Sequence, residues 1–172
     1  MVGEILEGEL HVSPRPRMLH GTATGGLYGE LRGPFDRGRG GPGGWTILIE
    51  PELHLGRKPD KVVPDIAGWR RERLPDRVFE PDAPVGVTVP PDWVCEVLSS
   101  STERIDRGKK MRIYRRERVR HVWLVSPALK TVEVYRLDGE RFSLLDTHEG
   151  DERVRAEPFE AIELALAELW AR

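Results

Sequence analysis

The stretch Pro91-Asp92-Trp93-Val94-Cys95-Glu96-Val97-Leu98-Ser99 decides how the rest of the chain is read. Trp93 to Leu98 is a short, nearly continuous apolar run, the pattern of a strand buried on both faces. Glu96 interrupts it with a carboxylate. A charge in such a strand is costly unless it is paired, protonated or bound to a cation. Two readings follow: a strand end whose carboxylate reaches solvent or an arginine, or a metal ligand or acid/base group at the edge of a cleft. Cys95 alternates away from Glu96 and reads as core.

Downstream, Ser99 to Thr102 offers helix caps and Glu103 to Arg118 reads as a helix. His121–Val125 and Thr131–Leu137 read as strands, and Asp138-Gly139 turns the chain back through Arg141–Leu145 as a hairpin. Phe159, Ile162, Leu166 and Leu169 recur at helical spacing, which predicts a closing amphipathic helix. Upstream, Glu4–Val12 alternates like one strand, ended by Ser13-Pro14-Arg15-Pro16. Met18–Leu31 reads as a helix despite four glycines. Gly33–Gly44 carries six glycines and reads as a mobile loop. No Lys-Ser/Thr follows its last glycine, so it is no phosphate-binding P-loop. Trp45–Glu50 and Val62–Trp69 read as strands, and Arg70–Pro91 as a polar, proline-punctuated excursion. Strands, interspersed helices and a hairpin predict one mixed α/β (α+β) domain over residues 1–172, without internal repeats.

Composition narrows the class. The 172 residues carry 27 Lys and Arg against 29 Asp and Glu, a net charge of −2, which makes no global electrostatic claim on nucleic acid or membrane. The charge is uneven: Arg104–Arg120 holds nine basic residues against Asp106 and Glu117. Such a segment either follows a phosphate backbone or is a solvated basic face. A single cysteine excludes a disulfide framework and a multi-cysteine zinc site. An acidic start without a signal-peptide pattern, and no apolar run of bilayer length, predict a soluble cytoplasmic protein with no membrane partner.

Asp65 is the second anomaly, a carboxylate within the apolar strand Val62-Val63-Pro64-Asp65-Ile66-Ala67, directly after a proline that suggests a kink or sheet edge. If the Asp65 and Glu96 strands are neighbours, the two carboxylates can converge on a hard divalent cation such as magnesium. Asp106 and Lys110 lie four apart on the following helix and share a face, as do Lys110 and Tyr114. They form either a solvated ion pair or a lysine placed to offset developing negative charge. The five histidines show no metal-ligand spacing and read as structural or solvated, although His20, near a helix start, could approach a cleft. Glu50 reads as a solvated strand end that could supply a further acid. Ser99, Ser100 and Ser101 lack a partnered histidine, which excludes a hydrolase triad. The tryptophans fit core packing.

Taken in order, Val63-Pro64-Asp65-Ile66-Ala67, Pro91 to Ser99, Asp106-Arg107 with Lys110 and Tyr114, and His121-Val122-Trp123-Leu124-Val125 resemble the Uma-two family of restriction-endonuclease-like proteins. That family is a bacterial branch of the PD-(D/E)xK nuclease superfamily. The resemblance runs from about Glu7-Gly8-Glu9 to the last helical segment, and Asp60–Val125 carries its specificity. It implies a restriction-endonuclease-like fold: a central mixed β-sheet flanked by helices, with N-terminal and C-terminal hairpin strands. It also implies that Asp65 and Glu96 are the metal-binding acids. Leu98 stands where the superfamily usually has its lysine, and Lys110 matches the family's lysine on the following helix. Ser100 stands where the family commonly has proline, and Ser126 where it commonly has aspartate.

The function expected is phosphodiester hydrolysis in DNA by a magnesium- or manganese-dependent endonuclease. Asp65 and Glu96 would hold the metal, Lys110 would position water or stabilise the transition state, and Asp106 would orient Lys110. The alternatives are a nuclease fold kept as an inactive nucleic-acid- or protein-binding module, and a structural homodimer joined through the apolar stripe Phe159–Leu169.

Overall fold

The computed structural model describes residues 1–171. Ten strands form two main sheets. β1 (Val2–Leu6) and β2 (Glu9–Ser13) make an N-terminal hairpin, and β1 continues through β5 (Asp60–Val62) to β4 (Leu53–Leu55). The larger sheet has the order β10 (Arg141–Glu149), β9 (Thr131–Asp138), β8 (His121–Ser126), β7 (Trp93–Val97), β6 (Ile66–Arg70) and β3 (Trp45–Ile49). Only the β7–β8 pair is parallel; the other neighbours run antiparallel. A parallel pair needs a crossover, and the helical segment after β7 supplies it. That segment runs from α2 (Glu103–Ile105) through a π-helical stretch at Asp106–Lys110 into α3 (Met111–Arg116). The result is a mixed sheet flanked by helices, with hairpins at both ends of the chain.

All five residues of β7 are buried, as its apolar run requires. Trp93, Cys95 and Val97 face one side, with α1 (Met18–Leu31) and the cluster of Leu27, Trp45 and Trp123. Val94 and Leu98 face the other, against Ile113, Tyr114 and Leu124. By the same alternation Glu96 belongs to the second face, beneath the crossover helix.

Four sequence expectations change. Glu4–Val12 is a hairpin, because Glu7 and Gly8 adopt the left-handed conformation, with φ of 53° and 82°. Val62–Trp69 is broken at Val63–Asp65 into β5 and β6, which lie in different sheets. Gly33–Gly44 is not loose: α1 continues into a π-helical turn at Arg32–Asp36, and the Gly43 N–H donates to the Pro34 carbonyl at 2.8 Å. The chain closes on itself there because a Cβ on Gly41 would stand 2.4 Å from Pro34 Cβ, an approach only glycine permits.

The fourth change is at the C-terminus. Phe159–Leu169 is not one helix; β12 (Leu164–Ala165) pairs with β11 (Arg153–Val154), and only α4 (Ala167–Trp170) is helical. Its apolar side chains still reach the core. The Phe159 ring lies 4.7–5.7 Å from those of Phe35, Trp45, Trp93 and Trp123. Phe159, Leu166 and Leu169 are thereby buried within the same chain, so the stripe offered for a homodimer is already covered.

α4 packs against α1 through Gly26, where an added Cβ would stand 2.5 Å from the Glu168 carbonyl oxygen. Gly26→Ala is therefore expected to destabilise the fold by about 1–3 kcal/mol through overpacking. Gly25→Ala, with nothing within 4 Å of its Cβ, should stabilise by about 0.4–1 kcal/mol through reduced unfolded-state entropy. Urea denaturation of the two variants checks the opposite signs; equal shifts would contradict the packing described.

Candidate active site

The break between β5 and β6 and the end of β7 meet at one pocket of about 400 Å³, whose lining includes Glu4, Glu50, Asp65, Glu96, Asp106 and Lys110. Proline at 64 ends the β5 ladder, and Asp65 then turns towards the end of β7. Its Oδ2 accepts the Val97 N–H at 2.6 Å, and its Oδ1 lies 3.0 Å from His20 Nε2. Asp65 thus joins β6 to β7 and takes an α1 histidine as its second partner. All four residues singled out from the sequence as the site (Asp65, Glu96, Asp106 and Lys110) line this one pocket.

Lys110 is 4% exposed. Its Nζ lies 3.1 Å from Glu4 Oε1, 3.2 Å from Glu96 Oε2 and 3.4 Å from Asp106 Oδ1. Asp106 and Lys110 bound the π-helical stretch, a wide turn of the kind often found at functional sites. Glu96 is 1% exposed, and its Oε1 accepts a hydrogen bond from the Tyr114 hydroxyl. Every oxygen of Glu96 is therefore bonded within the protein, which resolves the anomaly of an acid in an apolar strand.

The electrostatics follow from burial. Desolvation pushes the Glu96 carboxyl well above its ordinary range; Lys110 pulls it back, but Asp106, Asp65 and Glu4 oppose that pull. Asp106 is raised for the same first reason. Burial alone would push the Lys110 ammonium down, yet Glu96, Asp106, Glu4 and Asp65 more than offset it and hold Lys110 above the usual lysine range. Lys110 is a fixed cation, not a titrating base. His20 is likewise raised: burial works against its charge, and Asp65 outweighs it.

Glu4 has no place among the sequence candidates, yet it belongs to the site: besides Lys110, its Oε1 accepts the Val63 N–H at 2.8 Å. A signal was available, since Glu4 shares its strand face with Leu6, and both are buried. His20 and Glu50 also line the pocket, and the Glu50 N–H donates to the Asp65 carbonyl at 3.0 Å. Among the described residues no three His, Cys, Asp or Glu side chains are grouped to cage a metal. The donor set is nonetheless compatible with magnesium, which takes oxygen ligands, keeps several waters and commonly binds through one or two carboxylates together with substrate phosphates.

The basic segment is mostly neutralised. Arg107 pairs with Glu103 and Glu133, Lys109 with Glu9, Arg112 with Glu7, Arg116 with Asp60 and Glu117, and Arg118 with Glu140. It fastens the N-terminal hairpin to α3 instead of presenting a uniform cationic face. No helix among the described residues is long and apolar enough to cross a membrane.

No curated protein matches the chain. Among solved structures it is similar to a crystal structure described as a putative nuclease belonging to DUF820 from Anabaena variabilis ATCC 29413. The two share 20% identity over 98% of this chain and 89% of that one, with a TM-score of 0.76. That likeness confirms the sheet architecture expected from the family resemblance. The family model for Uma2, described as putative restriction endonuclease, matches residues 3–167, which runs from β1 to the start of α4. The chain belongs to the Uma2 family of putative restriction endonucleases.

Proposed function

We propose that the protein is a divalent-metal-dependent nuclease that hydrolyses phosphodiester bonds in DNA. The observation that carries the reading is the convergence of Asp65, Glu96 and Lys110, from a strand break, a buried strand and the crossover helix, in one pocket. Asp65 and Glu96 would hold magnesium or manganese. The bound metal would supply Lewis acidity, lowering the pKa of water and polarising the scissile phosphate.

The remaining work falls to the chain's own residues. The Lys110 ammonium, held protonated by its acidic neighbours, stabilises negative charge building on the phosphate without moving a proton. Glu4 and Asp106 hold that ammonium in place. His20 and the Val97 N–H orient the Asp65 carboxylate. Tyr114 fixes one oxygen of Glu96.

The test is strand scission of labelled single-stranded, duplex and branched DNA with magnesium, with manganese and with EDTA. Cleavage that requires the metal is the expected result. No product from any form with either metal would overturn the reading in favour of an inactive binding module.

A further inference from the structure

We propose that Arg15 and Arg17 form a phosphate-gripping lip that admits one unpaired DNA strand, in preference to intact duplex, to the pocket over Asp65 and Glu96. The inference rests on the nuclease reading for its substrate and goes beyond it in naming the strand form and the residues that select it.

The pocket has an electrostatic problem. Its lining holds five carboxylates (Glu4, Glu50, Asp65, Glu96 and Asp106), and its inner cation, Lys110, is already shared among three of them. A polyanion entering such a site is repelled by the carboxylates that a metal on Asp65 and Glu96 would leave unpaired, and positive charge at the mouth offsets that repulsion. The only other Lys or Arg side chains in the lining are Arg15 and Arg17. Both are exposed, and neither makes an ion pair or a side-chain hydrogen bond among the described residues. Arg107, Arg112 and Arg116 on the crossover helix, by contrast, are all engaged by acids.

The backbone that carries the two arginines is stiff. Pro14 and Pro16 alternate with them, each with a fixed φ, and Arg17 is extended at φ −76° and ψ 164°. β2 anchors the segment at one end and α1 at the other. A short, doubly anchored, proline-locked segment loses little backbone freedom when its arginines grip phosphates, and the planar guanidinium forks suit phosphate oxygens.

Size sets the strand form. About 400 Å³ lies towards the lower end of pockets that enclose a drug-sized molecule, the scale of one nucleotide unit. Glu96 lies at the buried floor, so the reacting phosphate must come in deep. Apolar Leu19, Leu98 and Pro127 line the pocket together with Ser99 and Thr102, offering surfaces to a base face and hydroxyls to a sugar edge. Stacked, paired bases cannot enter without opening the helix, whereas an unpaired strand enters directly.

The rival strand path is a groove between the outer side of α3 and the β9–β10 hairpin, where Arg115 and Arg141 make no ion pair among the described residues. It lacks the acids that chemistry needs.

The test follows a fluorescein-labelled oligothymidylate by anisotropy in calcium buffer over a range of salt, and compares its cleavage in magnesium with that of a hairpin duplex. Wild type should cut the unpaired strand at least about tenfold faster, since duplex must first be opened. The Arg15→Ala/Arg17→Ala variant should bind about tenfold more weakly and flatten the salt slope by about 1.4, at roughly 0.7 per phosphate contact on a single strand. Most of its cleavage loss should fall on KM, and Lys at both positions should restore the slope.

An unchanged slope, equal cutting of duplex and single strand, or a larger binding loss from Arg115→Ala/Arg141→Ala would each overturn the proposal. Absence of cleavage on every DNA form overturns the nuclease reading instead. The anisotropy slopes then still decide whether Arg15 and Arg17 grip the strand.

Discussion

Lys110→Met is expected to cost about 3–5 kcal/mol of stability near neutral pH, the scale of breaking a buried ion pair by removing one partner. Glu4, Glu96 and Asp106 would then face one another without their counter-ion. The pH dependence has a definite sign. Burial already raises the carboxyls of Glu96 and Asp106, and loss of the ammonium raises them further. Groups whose folded-state pKa is raised contribute stability that is fully present below the unfolded pKa and is lost as pH rises through the folded value. The variant should therefore regain stability relative to wild type as pH falls from 7 towards the ordinary glutamate value of 4.5. Adding Glu96→Gln should also recover part of the loss, because it removes one uncompensated charge. Urea denaturation across pH measures both effects, and a Lys110→Met variant as stable as wild type at neutral pH would show that Lys110 is not the counter-ion of this cluster. In cleavage, corrected for the folded fraction, the loss should reach at least about a hundredfold, as for removal of one preorganised electrostatic group. Sequence alone gives Lys110 the role of positioning water or stabilising the transition state. Its contacts with Glu96 add a second role, so magnesium affinity should change as well.

Asp65→Asn should leave the fold intact and remove the activity. The amide oxygen can still accept the Val97 N–H that Asp65 Oδ2 takes at 2.6 Å, so the junction of β6 and β7 keeps its hydrogen bond. What disappears is one of the two carboxylates proposed to hold a hard cation, together with the charge that faces His20 at 3.0 Å. Calorimetry with magnesium should show a weaker isotherm, and strand cleavage should fall by at least about a hundredfold, the usual scale for losing one preorganised charged group. Unchanged magnesium affinity alongside unchanged cleavage would remove Asp65 from the metal site. A large fall in thermal stability would mark it as a structural brace.

The features legible from residue order were local in origin. A short, nearly continuous apolar run is the pattern of a strand covered on both faces, which pointed to Trp93–Val97 as a central strand, and the helical pattern after it supplied the crossover that a parallel β7–β8 pair requires. Period and parity placed Cys95 in the core and Glu96 on the opposite face, and their apolar neighbours made Asp65 and Glu96 conspicuous, because acids in apolar segments are expensive. The Asp106–Lys110 pair followed from helical spacing alone.

Long-range packing settles what those acids meet. Glu4 reaches Lys110 across more than a hundred residues of chain, and His20 reaches Asp65 from α1. Neither contact leaves a mark on its own neighbourhood beyond parity or a helix start. The same reason explains the changed elements. Val62–Trp69 divides because two sheets compete for its halves. Gly33–Gly44 orders because its glycines can close on Pro34, and the Phe159–Leu169 stripe abandons a helix because Phe159 gains more against the tryptophan cluster. Periodicity records which residues prefer burial, and only long-range packing fixes the partner and the geometry in which that burial is achieved.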